Sequence, residues 1–465
     1  MYILLINTNK FIKYALVFST SFGWTQDIYT EYLVVNSDSV DVFSYQIPEN
    51  YNNLNTHPLL VIFHQWGGDE NSPYYTQFDE EANNRNWLYL SPFGGSSNNY
   101  NHQDAQYFVM QEIFWLSEQY NIDSNRIYMV GGSMGGAAGA IFANNHLDPT
   151  QPMVAATASA SGILDCERRF YEMDGNNSMI EWFGGSPEEV PFEYHCNSAV
   201  FFADSTQSMH FNLKHIPLYL DFGTSEPHRT HAEDLFALLQ GYNLNMWIDF
   251  DPTGSHGFSV IDENHACDWM SQFELEMNPE EINVNLDEPS RAYWVEAKNQ
   301  SVEDEFIRIE CERLNENTFL LNQFKNSDTL IFHILNDTIP SNIQFYNYQY
   351  DSIFTIGITG TSPLISTILD VSFEGFNLAY WDNLNQENTI IYVDISWGSY
   401  NMAFTFEDFM DVNLDGVWDV TDIVLTIQNI LGQLVFNSTQ TENADLNDDG
   451  GVDILDIILM VNLIL

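Results

Sequence analysis

Gly131-Gly132-Ser133-Met134-Gly135 constrains this chain more than any other stretch. It follows an apolar run, Ile127-Tyr128-Met129-Val130, and opens a small-residue segment, Gly136-Ala137-Ala138-Gly139-Ala140-Ile141-Phe142. That pattern predicts a buried strand turning sharply into a helix with a serine at the apex. A serine there adopts strained backbone angles, and small flanking residues are needed to avoid clashes. The helix start then offers free amides and a positive dipole end to any negative charge developing beside the hydroxyl. The arrangement is that of a nucleophile.

A nucleophilic serine needs a base, an orienting acid and donors for an oxyanion. Downstream, Leu218-Tyr219-Leu220-Asp221-Phe222-Gly223-Thr224-Ser225-Glu226 reads as a strand, a glycine turn and an acid. Further on, Gly254-Ser255-His256-Gly257 sets a histidine in a glycine-flanked loop after the last strand. The candidate triad is Ser133, Glu226 and His256, with Asp221 and Asp251 close enough in sequence to serve instead as the acid. Backbone amides of Met134 and of Gln65 or Trp66 are the candidate oxyanion donors, in a loop whose Gly67 and Gly68 permit close approach. His64 is expected to cap a strand beneath that loop, and His228 and His231 to lie on the surface or line the pocket.

From about 29 to 277, strand-like runs alternate with helical spacing, as in an α/β fold with a mostly parallel sheet and helices on both faces. The stretch 164–214 is rich in Asn, Ser and aromatics and reads as an insertion covering the site. Residues 57–270 resemble the α/β-hydrolase group of polyhydroxyalkanoate depolymerases, feruloyl and acetylxylan esterases, and prolyl-oligopeptidase-like esterases. The likeness rests on the 64–68 loop, on Asn121-Ile122-Asp123-Ser124-Asn125-Arg126-Ile127-Tyr128, on 131–136, on Gly223-Thr224-Ser225-Glu226 and on Ser255-His256-Gly257. It implies ester hydrolysis through an acyl-enzyme with no cofactor. The chain departs from the group at Glu226, where aspartate is usual, and at Phe222, where histidine is common.

The periodicity changes after 277: residues 279–289 read as an acidic linker and 290–403 as one β-sandwich or two smaller β units. The end of the chain contains a repeat. Asp411, Asn413, Asp415, Gly416, Asp419 and Asp422 recur as Asp445, Asn447, Asp449, Gly450, Asp453 and Asp456, each copy running into an apolar helix. Oxygen side chains at loop positions 1, 3, 5, 9 and 12 with glycine at 6 are a Ca2+ loop. The repeat resembles a type I dockerin over 404–465, which implies Ca2+ binding and a cohesin module as partner. Loop positions 10 and 11 differ between the copies, Val420-Thr421 against Ile454-Leu455, so the two faces are not equivalent.

The balance of 13 basic against 66 acidic residues, −53 in all, excludes nucleic acid and anionic membrane surfaces as partners. Lys10 and Lys13 before an apolar stretch, then small residues near Gly23, read as an export signal over 1–24, and no segment reaches membrane-spanning length. Of the four cysteines, Cys166 and Cys196 are the expected disulfide pair in an exported chain, and no C-x-x-C supports zinc. The expectation is thus an exported, modular serine esterase attached through a dockerin and acting on feruloyl or acetyl esters of polysaccharide. A prolyl-oligopeptidase-like peptidase, a polyester depolymerase and an inactive scaffold-binding protein are the alternatives.

Overall fold

The computed structural model describes residues 27–464, apart from 176–177, 339–341, 348–353, 362–369, 373–378, 386–387, 396–397, 406–410, 416–418 and 447–449. The export-signal reading over 1–24 lies outside the described residues.

Eight strands form the first sheet: β1 (Tyr29–Val35), β2 (Asp38–Gln46), β3 (His57–Phe63), β4 (Leu88–Pro92), β5 (Ile122–Gly132), β6 (Ala156–Ala160), β7 (Leu218–Gly223) and β8 (Met246–Asp251). Their order is β1-β2-β4-β3-β5-β6-β7-β8. β2 is antiparallel to both β1 and β4, and every pairing from β4 to β8 is parallel. A parallel strand must be buried on both faces, which explains its unbroken apolar sequence. In β3, Leu59, Val61 and Phe63 enter one core while Leu60 and Ile62 enter the other. β5 divides likewise, Ile127 and Met129 against Tyr128 and Val130. Each such aliphatic side chain contributes about 1.5–3 kcal/mol. This is an α/β-hydrolase fold, its helices packed on both faces.

The insertion is built from short helices, Cys166–Glu172, Met179–Phe183 and Pro191–Cys196, and 3-10 turns. Phe170, Met179, Phe183 and Tyr194 pack with Tyr100 and Met134, so the insertion rests directly on the residue after Ser133. The expected Cys166–Cys196 disulfide is not formed; all four cysteines are buried free thiols. Cys166 Sγ donates to the Asn197 carbonyl at 3.2 Å and Cys196 Sγ to that of Glu193 at 3.7 Å. Apolar surroundings, not a covalent tie, hold these segments.

Residues 279–289 are not a linker. Glu281–Leu286 is a strand at the edge of a second sheet, antiparallel to Ile307–Asn315. The alternation Ile282, Val284, Leu286 placed it there, and the intervening polar residues hid it. Two six-stranded sheets share one core that includes Trp294, Phe319, Phe332 and Phe345. Leu147 and Met153 from the first fold complete that core. Asn212 and Asn285 exchange hydrogen bonds of 2.8 Å across the junction, so the β-rich part is packed against the insertion.

At the C-terminal end, helices Val420–Ile430 and Ile454–Ile464 pack around Val412, Ile423, Ala444 and Met460. A further helix, Ser438–Ala444, joins them and was not foreseen from the repeat. Among the described residues, no helix is long and apolar enough to cross a membrane.

Candidate active site

Ser133 stands between β5 and the helix Met134–Asn145 with φ 56° and ψ −117°, a conformation that costs an L-residue on the order of 1–3 kcal/mol. The turn closes only because its neighbours lack side chains. A Cβ on Gly131 would stand 2.2 Å from the Gly135 carbonyl oxygen, and one on Gly135 would stand 2.4 Å from that of His64. The strain lifts the hydroxyl clear of the sheet.

His256 Nε2 lies 2.7 Å from Ser133 Oγ, and His256 Nδ1 lies 2.6 Å from Glu226 Oε2. With Nδ1–H donating to the carboxylate, Nε2 is left as an acceptor for the serine proton. Glu226 is buried, and its other oxygen accepts 2.7 Å from Ser161 Oγ and 2.8 Å from the Gly223 amide. Burial alone would raise this carboxyl, but the bonds from His256, Ser161 and Gly223 outweigh it and hold the group below its ordinary range.

The other two acids are elsewhere. Asp221 accepts from the Phe222 amide, and burial raises it to about 7. Asp251 accepts from the Thr253 amide and hydroxyl in an exposed turn. Glutamate at 226 reaches His256 from the turn after β7 with its longer side chain. Sequence reading missed Ser161, which sits after β6 with φ 55°. A lone serine far from the glycine turn gives no pattern to find it by.

Met134 opens its helix, where backbone N–H groups have no intrahelical acceptor. In the facing loop the Gly67 amide donates to Ser97 O at 2.6 Å and that of Gly68 to Gln65 O at 2.9 Å. Among the described residues the Gln65 and Trp66 amides form no such bond, which suits them to an oxyanion. His64 pins the loop from below, with Nδ1 2.8 Å from Gln65 O and Nε2 2.9 Å from Phe93 O.

His228 and His231 converge on Glu172 of the insertion, at 3.3 and 3.4 Å. His231 is fully buried rather than a surface group. Arg168 and Arg169 meet the same carboxylate at 3.4 and 3.3 Å, supplying the cations a metal would otherwise bring. Burial alone would raise Glu172, but His228, His231 and Arg169 hold it well below the carboxylate range. His228 also stands edge-on to His256, ring centres 5.5 Å apart, and so lines the site.

The acidic repeat is a second candidate site. Asp422 Oδ1 accepts from the Val412 and Asn413 amides, and its Oδ2 from Asp419 N, at 2.9–3.0 Å. Asp456 accepts from the Leu446 and Asp453 amides in the equivalent way. Both carboxylates are fully buried, and no Lys or Arg follows residue 404. Carboxylates buried in loops rich in hard oxygen side chains, within a segment that holds no Lys or Arg, suit a Ca2+ ion. Among the described residues no group of three or more metal-binding side chains is already drawn together. Gly416, Asn447 and Asp449 lie outside the described residues.

Residues 409–465 match the model of the Dockerin type I domain, so a dockerin module follows the α/β-hydrolase fold. No curated protein matches the chain. Among solved structures, the chain is similar to the Staphylococcus aureus fluorophosphonate-binding serine hydrolase F at 16% identity and TM-score 0.42, over 53% of this chain and 98% of that one. It is similar to a ferulic acid esterase at 13% and 0.39 (54% and 96% covered), and to an S-formylglutathione hydrolase from Agrobacterium tumefaciens at 11% and 0.43 (55% and 97%).

Proposed function

We propose that this chain is an exported serine carboxylic-ester hydrolase acting through an acyl-enzyme on acylated polysaccharide, and held on a scaffold by its dockerin. The observation that carries the reading is the unbroken relay from Ser133 Oγ through His256 to Glu226. His256 Nε2 takes the serine proton as Oγ attacks the ester carbonyl. The amides of Met134 and of Gln65 or Trp66 receive the oxyanion, and Glu226 steadies the imidazolium. As the intermediate collapses, His256 returns the proton to the departing alcohol. Water then repeats the cycle on the Ser133 ester and releases the acid. The strained Ser133 and the satisfied Glu226 argue against an idle relic.

Ca2+ would be held by Asp411, Asn413, Asp415, Asp419 and Asp422 in one loop and by Asp445, Asn447, Asp449, Asp453 and Asp456 in the other. When bound it supplies charge neutralisation that keeps the module folded, with no part in hydrolysis. Val420, Val424, Ile427 and Ile430 are exposed along one helix, as are Ile454, Leu455 and Ile458 on the other. Such apolar faces on a surface module favour a protein partner, here a cohesin.

The test is the product profile on acetylated and feruloylated xylan with wild type and Ser133→Ala. Release of acetate or ferulate, lost in the variant, supports the reading; release of peptide or hydroxybutyrate products alone moves it to the alternatives.

A further inference from the structure

We propose that the groove between the 65–68 loop and the 256–259 loop is the platform for a neutral saccharide chain, the alcohol side of the scissile ester. The inference rests on the polysaccharide-ester reading and says which surface holds the sugar. The groove has a volume of about 400 Å³ and is lined by Trp66, Tyr75, Phe258, Gln65 and Glu263 among others. Trp66 is 57% exposed and Tyr75 95% exposed. Tyr75 buries almost nothing within the fold and Trp66 leaves more than half of its surface in water, so packing alone does not account for two large aromatic rings on one groove.

Sugar rings present apolar C–H faces and a polar rim, and amphipathic aromatic side chains match such faces. The groove supplies the complementary rim through Gln65, Ser72, Thr76 and Ser259. Trp66 is steadied by a bond from Nε1 to Ser178 Oγ of the insertion at 3.4 Å, and Phe258 by an edge contact with Phe78 at 6.2 Å. Tyr75 ends the 3-10 turn Ser72–Tyr75 and forms the outer wall.

Continuity with the site decides which half of the substrate lies here. A Cβ on Gly132, the residue before the nucleophile, would stand 3.0 Å from the Phe258 amide and 3.2 Å from Gln65 Cγ. Both walls of the groove therefore close on Gly132, in the turn that carries the nucleophile. His256 must hand its proton to the alcohol oxygen as that group departs, and Phe258 follows His256 in the chain after the single residue Gly257. The leaving alcohol lies against this side. Glu263 is the only ionisable acid or base among the lining residues apart from Tyr75, and none is cationic. A uronate would meet like charge there, so the sugar is neutral.

The test compares full-length wild type, Tyr75→Ala and Tyr75→Trp on acetylated xylo-oligosaccharides and on 4-nitrophenyl acetate. Tyr75→Ala should raise KM for the oligosaccharides about tenfold with kcat kept, and Tyr75→Trp should restore it. All three should hydrolyse 4-nitrophenyl acetate alike. An unchanged KM in Tyr75→Ala, or equal loss on both substrates, would overturn the platform. Equal turnover of oligosaccharides bearing glucuronic acid would overturn its neutral character. Hydrolysis of 4-nitrophenyl acetate by wild type with no saccharide ester turned over would overturn the polysaccharide reading itself, and the platform with it.

Discussion

Ser161 Oγ donates a 2.7 Å hydrogen bond to Glu226 Oε1, the carboxylate oxygen that His256 leaves free. Ser161 holds a left-handed backbone at the end of β6, and Glu226 sits in the turn after β7, so neighbouring parallel strands fix the acid from two sides. In the proposed mechanism Ser161 acts as a positioning residue. Ser161→Ala should lower kcat about tenfold with KM nearly unchanged, because one hydrogen bond to a charged group is worth about 1.5–3 kcal/mol and Gly223 remains. Steady-state kinetics on 4-nitrophenyl acetate check it; a change confined to KM would contradict the positioning role.

Three acids lay within reach in the sequence, and only geometry separates them. Glu226→Gln should lower kcat about 10³–10⁴-fold by disturbing the imidazole tautomer. Asp251→Asn should stay within about twofold of wild type, since its oxygen serves only the Thr253 turn. Circular dichroism of both variants excludes misfolding, and the reverse order of effects would reassign the acid.

The contrast between Glu226 and Asp221 shows how far sequence reading reached. The glycine turn, its strand and its helix were legible because Ser133 tolerates so few neighbours. Glu226 and His256 were picked out by their glycine-flanked loops after strands, and the fold brings both side chains to Ser133. What stayed hidden was lateral: Ser161 beside Glu226, and Glu172 between His228 and His231, are pairings made by chain segments that sequence spacing does not relate. The strand Glu281–Leu286 was read as a linker because its alternating acids and amides face away from a core that only the opposite sheet completes. The Cys166–Cys196 expectation failed because flanking an insertion does not bring two thiols together.

Asp221 makes a stability prediction with a definite sign. Burial, reinforced by Asp249, Asp251 and Asp262, raises it to about 7 while the Phe222 amide pulls it down. Between about pH 4 and pH 7 the folded chain keeps a proton that the unfolded chain releases. The stability this group contributes is therefore fully present below about pH 4 and lost as pH rises through 7. Asp221→Asn should be more stable than wild type by on the order of 2 kcal/mol at pH 8, with the gap closing toward pH 4. Denaturant titrations at the two pH values check this; a constant gap would contradict it.

The buried Asp422 and Asp456 carboxylates predict that Ca2+ removal unfolds the C-terminal module and leaves hydrolysis intact. In the full chain, chelator should abolish one thermal transition, and Ca2+ should restore it. Asp422→Ala should weaken that recovery, while the rate on 4-nitrophenyl acetate stays the same. Unchanged melting on chelation would remove the metal from the account.

The central claim is that Ser133 Oγ is the attacking nucleophile, and mass spectrometry after incubation with a fluorophosphonate ester, which phosphonylates such an oxygen with loss of fluoride, tests it most directly. We expect one adduct per chain, mapped to the peptide containing Ser133, blocking ester hydrolysis and absent from Ser133→Ala. An active chain that takes up no adduct, or carries it on another residue, would contradict the account.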